Sequence, residues 1–202
     1  MTQNALHTPV TVIGLMSGTS ADGIDACILH TDGVSASRTG TQGNFDYRPD
    51  IRRAIIAARS EPASWLAEPN RRDALYKAIT EDHAQAVLAL ASQSDTPIDL
   101  VGFHGQTIYH NPAAQRTIQI GDGQMLARLT GYETVYDFRH ADMNAGGQGA
   151  PLAPIYHQML ARDAGLALPV IFLNLGGVAN VSLVEQDRLT GCDIGPANGL
   201  ID

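Results

Sequence analysis

Two cysteines and thirteen basic side chains among 202 residues set the first limits on this sequence. Cys27 and Cys192 lie far apart and form no C-x-x-C pair, which argues against a zinc site or a dense disulfide framework and suits a reducing compartment. Against 13 Lys and Arg stand 21 Asp and Glu, a formal charge of -8, so no broad basic surface is available for a phosphate backbone and nucleic acid is not expected as a partner. No apolar run reaches the length of a membrane-spanning helix, and Met1 to His7 carries no basic side chain ahead of a short apolar stretch. The expectation is a soluble cytoplasmic chain without a membrane partner. Two common phosphate loops, G-x-x-x-x-G-K-[ST] and G-x-G-x-x-G, are also missing, which removes the main support for Walker-type and dinucleotide-binding readings. Net acidity leaves a nucleotide ligand open, because backbone N–H groups and a metal ion can hold a phosphate in a compact site.

The apolar run Val10 to Met16 is rich in β-branched residues, breaks at Ser17-Gly18-Thr19-Ser20, and resumes as an extended pattern from Ile24 to His30. This predicts strand, polar loop, strand, with turn chemistry at Asp32-Gly33 ahead of a third strand. From about Asn70 to Ser94, Leu75, Ile79, Ala86 and Leu90 fall on one helical face; His83 shares the stripe as a core or boundary histidine, and Pro97 closes the segment. Asp99 to Phe103 reads as a buried strand running into His104-Gly105-Gln106-Thr107. A strand at Thr117 to Ile120, a helix from about Gly123 to Leu129 and a strand near Thr134 to Asp137 follow, and Pro151 is placed to begin a helix to about Arg162. Pro169 to Asn174 reads again as a buried strand, Gly176-Gly177 as a loop, and Val178 to Val184 as a strand. The opening pattern has returned, so an internally duplicated α/β fold is expected.

The densest polar loop is Ser17 to Asp25. Its small residues let backbone N–H groups approach an anion, Thr19 and Ser20 add donors, and Asp22 and Asp25 are candidates to reach a hydrated Mg²⁺ beside a phosphate; an ordinary hairpin turn fits the same composition. Ser20 also stands in a near match to a serine-hydrolase elbow, with His104 as its partner, although Asp22 occupies the place of the last glycine. Thr107 and Gln106 are candidates to hydrogen-bond sugar hydroxyls at a strand's carboxyl end, and His110 reads as a solvated loop residue. Arg139, ahead of Gly146-Gly147-Gln148-Gly149, is either a bidentate partner for a ligand carboxylate or the ion-pair partner of a neighbouring aspartate. Asp193, within Gly191-Cys192-Asp193-Ile194-Gly195-Pro196-Ala197-Asn198, is either a general base held by rigid turn chemistry or the head of an Asx turn.

Five of these segments occur in a specific order: Gly14 to Asp25, His104 to Thr107, Asp137-Phe138-Arg139 with Gly146 to Leu152, Asn174-Leu175-Gly176-Gly177-Val178-Ala179-Asn180, and Asp193 to Asn198. Together the series resembles the anhydro-N-acetylmuramic acid kinase family. The resemblance implies the fold of the sugar kinase and actin superfamily, with an actin-like, ribonuclease H-like α/β domain over residues 1–140 and the start of a related second domain over 141–202, and with ATP between the two. It implies that Gly18, Thr19, Ser20, Ala21, Asp22, Gly23, Ile24 and Asp25 bind ATP phosphates and Mg²⁺, that Gly176 and Gly177 form a second phosphate loop, and that Thr107 and Arg139 line a sugar pocket in which Asp193 is the base. The implied reaction opens the 1,6-anhydro bridge with water and phosphorylates O6, giving N-acetylmuramic acid 6-phosphate in peptidoglycan recycling.

Two positions depart from the family pattern: Ile194 stands where Thr is usual, and Ala197 where Gly is usual. Relatives are also expected to continue past the position of Asp202 into a second domain that supplies an adenosine-binding segment. A 202-residue chain therefore carries a second expectation, that of a truncated, non-catalytic sugar-binding or oligomerising remnant whose uncovered face is met by a partner, for example in a homodimer.

Overall fold

The computed structural model describes residues 8–198, and Met1 to His7 and residues 199–202 lie outside them. An antiparallel meander opens the chain, formed by β1 (Val10–Ser17), β2 (Gly23–Thr31) and β3 (Ala36–Asp46). Alternate residues Thr11, Ile13, Leu15 and Ser17 of β1, and Ile24, Ala26 and Ile28 of β2, are buried, as the two-residue period of a strand requires when one face meets a core. Three helices follow, α1 (Pro49–Ser60), α2 (Pro62–Leu66) and α3 (Pro69–Ala91). Each opens on a proline, where the absent N–H costs no intrahelical bond. Only α3 is expected from the sequence pattern. It lays Leu75, Ile79, Ala86, Val87 and Leu90 on the sheet, and His83 is the anticipated core histidine: fully buried, with Nδ1 2.8 Å from the Ile79 carbonyl and its ring edge-on to Phe103 at 4.9 Å.

β4 (Leu100–Asn111) then runs parallel to β1, and β5 (Arg116–Ile120) returns antiparallel beside it. After α4 (Gly123–Thr130), the short β6 (Thr134–Tyr136) adds parallel to β4. The main path of the sheet is β3-β2-β1-β4-β5, with β6 paired to β4 off this path. His104 to Thr107 does not lie at a strand's carboxyl end. β4 passes through it, turning at Gly105, whose φ is +69° and whose place leaves no room for a side chain, since a Cβ there would lie 2.6 Å from the Ile120 carbonyl oxygen. His110 is accordingly a half-buried strand residue, not a solvated loop residue.

Two helices, α5 (Phe138–Asn144) and α6 (Ala153–Asp163), lead to a second antiparallel meander of β7 (Val170–Leu175), β8 (Val178–Val184) and β9 (Leu189–Pro196). The fold is thus α/β with duplicated strand-loop-strand units, as the sequence pattern suggests. α5 and β9 are additions to that pattern, and Asp193 lies in β9, not in a turn. Packing of α6 on β8 and β9 covers one face of the second meander. β7 is a strand but not a buried one: none of its residues is buried, and Ile171, Leu173 and Leu175 are exposed. β4 pairs the outer edge of β1, whereas among the described residues no strand pairs the outer edge of β7. Among the described residues no helix is long and apolar enough to cross a membrane.

Candidate active site

The first glycine-containing turn is fixed from below by a buried polar cluster. Gln106 is fully buried in β4; its Nε2 donates to the Gly18 carbonyl at 3.0 Å, and its Oε1 lies within hydrogen-bond reach of the Ser17 hydroxyl. Tyr47 donates to Ser17 Oγ at 2.9 Å, and Ser17 has one proton to give, either to Gln106 or to the Gly23 carbonyl at 3.1 Å. Every member has a partner, which is what makes a buried polar network tolerable. Gln106, expected at sugar hydroxyls, therefore has both ends of its amide engaged inside the protein and holds the turn instead. Thr107 is half-buried and accepts from Gln119 Nε2 at 3.2 Å.

Above this cluster Ala21 is buried with φ +54°, and its N–H closes the turn on the Gly18 carbonyl at 3.3 Å. Asp22 uses one oxygen, Oδ1, to accept from Ser20 Oγ at 2.7 Å and from the Gly23 N–H at 3.1 Å, and the Ser20 bond is the main reason its carboxyl is held below the usual range. Asp25 accepts from Asn44 Nδ2, and Arg59 donates to the Thr19 carbonyl. Ser20 is thus paired with an acid two residues away, and both ring nitrogens of His104 are engaged elsewhere, so the serine-hydrolase arrangement is not assembled. The second glycine turn comes to meet the first: a Cβ on Gly177 would lie 3.0 Å from Thr19 Oγ1.

Arg139 makes no ion pair with its aspartate neighbours. Asp137 bonds His140, and Asp142 Oδ2 accepts the Gly149 N–H at 2.7 Å. The Arg139 guanidinium instead donates from Nε to His104 Nε2 at 2.9 Å and from Nη1 to the Gly149 carbonyl at 2.7 Å. Burial holds the guanidinium below its ordinary pKa, and burial with the Arg139 charge beside it pushes His104 down to about 4, so this imidazole is neutral at pH 7.

Asp193 is placed by strand register. Asn174 pairs with Asn180, and Asn180 with Asp193, so the three polar side chains form one row on one face of the second meander. The row lies beside Gly176-Gly177. Asn198 closes this end, its backbone N–H donating to the Gly176 carbonyl at 2.9 Å and its Nδ2 to the Leu175 carbonyl at 2.6 Å. His110 joins the two halves of the site: its pKa is lowered first by burial, then by the charge of Arg139, while the Gln148 backbone and the Asp193 carboxylate oppose the shift.

The model of the family described as anhydro-N-acetylmuramic acid kinase matches residues 10–202. The chain belongs to this family. The anhydro-N-acetylmuramic acid kinase of Rhodopseudomonas palustris strain HaA2 is 43% identical over 203 residues, covering 96% of this chain and 54% of the relative. That of Rhodospirillum rubrum is 46% identical over 199 residues, covering 96% and 51%, and that of Agrobacterium fabrum 44% over 208 residues, covering 95% and 54%. The chain spans about half the length of the curated relatives it matches. A solved exopolyphosphatase-like protein aligns at 14% identity over 93% of this chain and 51% of its own, with a TM-score of 0.41, a likeness too loose to bear on function.

Within this anhydro-N-acetylmuramic acid kinase family member, the structure brings Arg139 and Asp193 to one region and sets the two glycine turns against each other. The sequence assigns no role to Asn174 or Asn180 and offers His104 only as a partner for Ser20. A signal for the first two was present: they stand at equal distance either side of Gly177, the spacing that a hairpin turns into a cross-strand pair. Nothing in the sequence marks His104 as the acceptor for Arg139, because that contact joins β4 to α5 across 35 positions.

Proposed function

We propose that the chain carries the sugar site and both phosphate loops of an ATP-dependent kinase that opens 1,6-anhydro-N-acetylmuramic acid and yields N-acetylmuramic acid 6-phosphate in peptidoglycan recycling. The observation that carries this reading is a half-buried Arg139 with no carboxylate in ion-pair range among the described residues, in a fold that sets its two glycine turns against each other and leaves Asp193 exposed on β9. One group suits a ligand carboxylate, the other an activated water. In the proposed step Asp193 takes a proton from water, the water oxygen bonds to the anomeric carbon, and the C1–O6 bond breaks. O6 bonds to the γ-phosphorus of ATP as ADP leaves, so no separate general acid is needed for the bridging oxygen. The Gly18–Asp25 turn and Gly176-Gly177 face one another and are proposed to hold the phosphates, with Thr19 and Ser20 as hydroxyl donors. The turns fit Mg²⁺ in a limited way: among the described residues no three acidic, histidine or cysteine side chains gather, so Asp22 and Asp25 would meet an ion that keeps mostly phosphate and water ligands. When bound, that ion spreads the charge of the phosphates.

Incubation with ATP, Mg²⁺ and the anhydro sugar tests the proposal; a phosphorylated sugar is expected, and folded protein that neither turns over nor binds the sugar refutes it. A second reading, a non-catalytic sugar-binding or oligomerising chain, is favoured by the exposed Ile171, Leu173 and Leu175 on β7. Calorimetric binding of the anhydro sugar without turnover would select it.

A further inference from the structure

An arginine that recognises an anion has to be oriented, and the commonest device is a carboxylate, which also cancels its charge. Arg139 is oriented without one. Its Nε proton goes to His104 Nε2 at 2.9 Å and one Nη1 proton to the Gly149 carbonyl at 2.7 Å, both uncharged acceptors. The nearby acids are occupied, Asp137 by His140 and Asp142 by the Gly149 N–H. Because Nε2 accepts, the proton of the neutral imidazole sits on Nδ1, which is 2.7 Å from the Gly105 carbonyl oxygen and donates to it. Gly105, held left-handed inside β4, thus fixes the ring that fixes the guanidinium. Nη2 and the second Nη1 proton take no part in these bonds.

We propose that His104 is a positioning residue, an uncharged acceptor that orients Arg139 while leaving its full positive charge for the carboxylate of an anionic sugar. The inference rests on the sugar-site reading above and adds to it the reason an arginine there discriminates by charge. The test compares calorimetric affinity for 1,6-anhydro-N-acetylmuramic acid with that for 1,6-anhydro-N-acetylglucosamine, the same ring without the lactyl carboxylate. Wild type is expected to prefer the acidic sugar by at least about tenfold. His104→Gln, which keeps a neutral acceptor, should retain most of the preference. His104→Glu, which keeps an acceptor but adds a countercharge, should lose it. A His104→Glu protein that still prefers the acidic sugar overturns the inference. Equal binding of both sugars by wild type overturns it too but leaves the sugar site standing, whereas binding of neither removes the sugar site and the inference together. Should the variants fold poorly, ¹⁵N NMR of the wild-type ring decides: Nδ1 protonated and Nε2 bare at pH 7 supports the arrangement, and the opposite tautomer refutes it.

Discussion

Asp193 and Asn differ by one oxygen and one charge, so Asp193→Asn keeps the shape of the polar row on β9 and removes the proton acceptor. Turnover in any active context should fall to background while sugar binding stays within about tenfold, and single-turnover assay with parallel calorimetry separates the two. Undiminished turnover would mean another base. His83 gives a residue-scale prediction of a different kind. Burial pushes its pKa down to about 4, from the ordinary 6.5 that it regains on unfolding. Between these values the unfolded chain binds the proton and the folded one does not, so stability is full above pH 6.5 and is lost as pH falls toward 4. The loss traceable to His83 is on the order of 3 kcal/mol. Urea melts at pH 7 and pH 4.5 should show a smaller pH penalty in His83→Leu than in wild type, with part remaining because His104 is shifted the same way.

At the scale of elements, β4 is where sequence and structure part most clearly. A run of His-Gly-Gln-Thr reads as a polar cluster at a strand's carboxyl end, because glycine and small polar residues favour turns. The strand continues because Gly105 alone can take the left-handed φ while the Ile120 carbonyl passes close by. Gly105→Ala should therefore cost roughly 2–4 kcal/mol, strain and crowding together, against about 1 kcal/mol for Gly40→Ala, which has a positive φ but open space around it. Equal costs in denaturant melts would show that crowding by β5 is unimportant. The same contrast explains what was legible. α3, β1 and β2 carry their burial as a period in the chain, Leu75, Ile79 and Leu90 on one, Ile13 and Leu15 on another. β9 carries Gly191, Gly195 and Pro196, residues of turns, and is a strand only through register with β8, including an irregularity beside Asn180. α1 does bury Ile51, Ile55 and Ala58 at helical spacing, but the prolines at 49, 62 and 69 break the run into pieces too short to stand out. The motifs are legible as segments; which atoms meet is not, since Arg139 with His104 and Gln106 with Gly18 are joined across 35 and 88 positions.

For the molecule as a whole, the duplication is most informative where its two copies differ. In the first meander alternate residues of β1 face the core, with Ile13 and Leu15 at 0% and 6% exposure, and β4 pairs the outer edge. In the second, Ile171, Leu173 and Leu175 occupy one face of β7 at 64%, 56% and 56%, opposite the face on which α6 packs. A contiguous apolar face of this kind drives association in water, since roughly 25 cal/mol is gained per Å² covered. Ile171→Thr with Leu173→Thr puts β-branched, strand-favouring side chains at both positions while making the face polar. The pair should lower dye binding to exposed apolar surface and shift sedimentation toward monomer, at a stability cost under about 1 kcal/mol because exposed positions contribute little to folding. A cost of several kcal/mol would show that these residues are buried in the protein as it exists, and would place the cover in an assembly or in chain beyond the described residues.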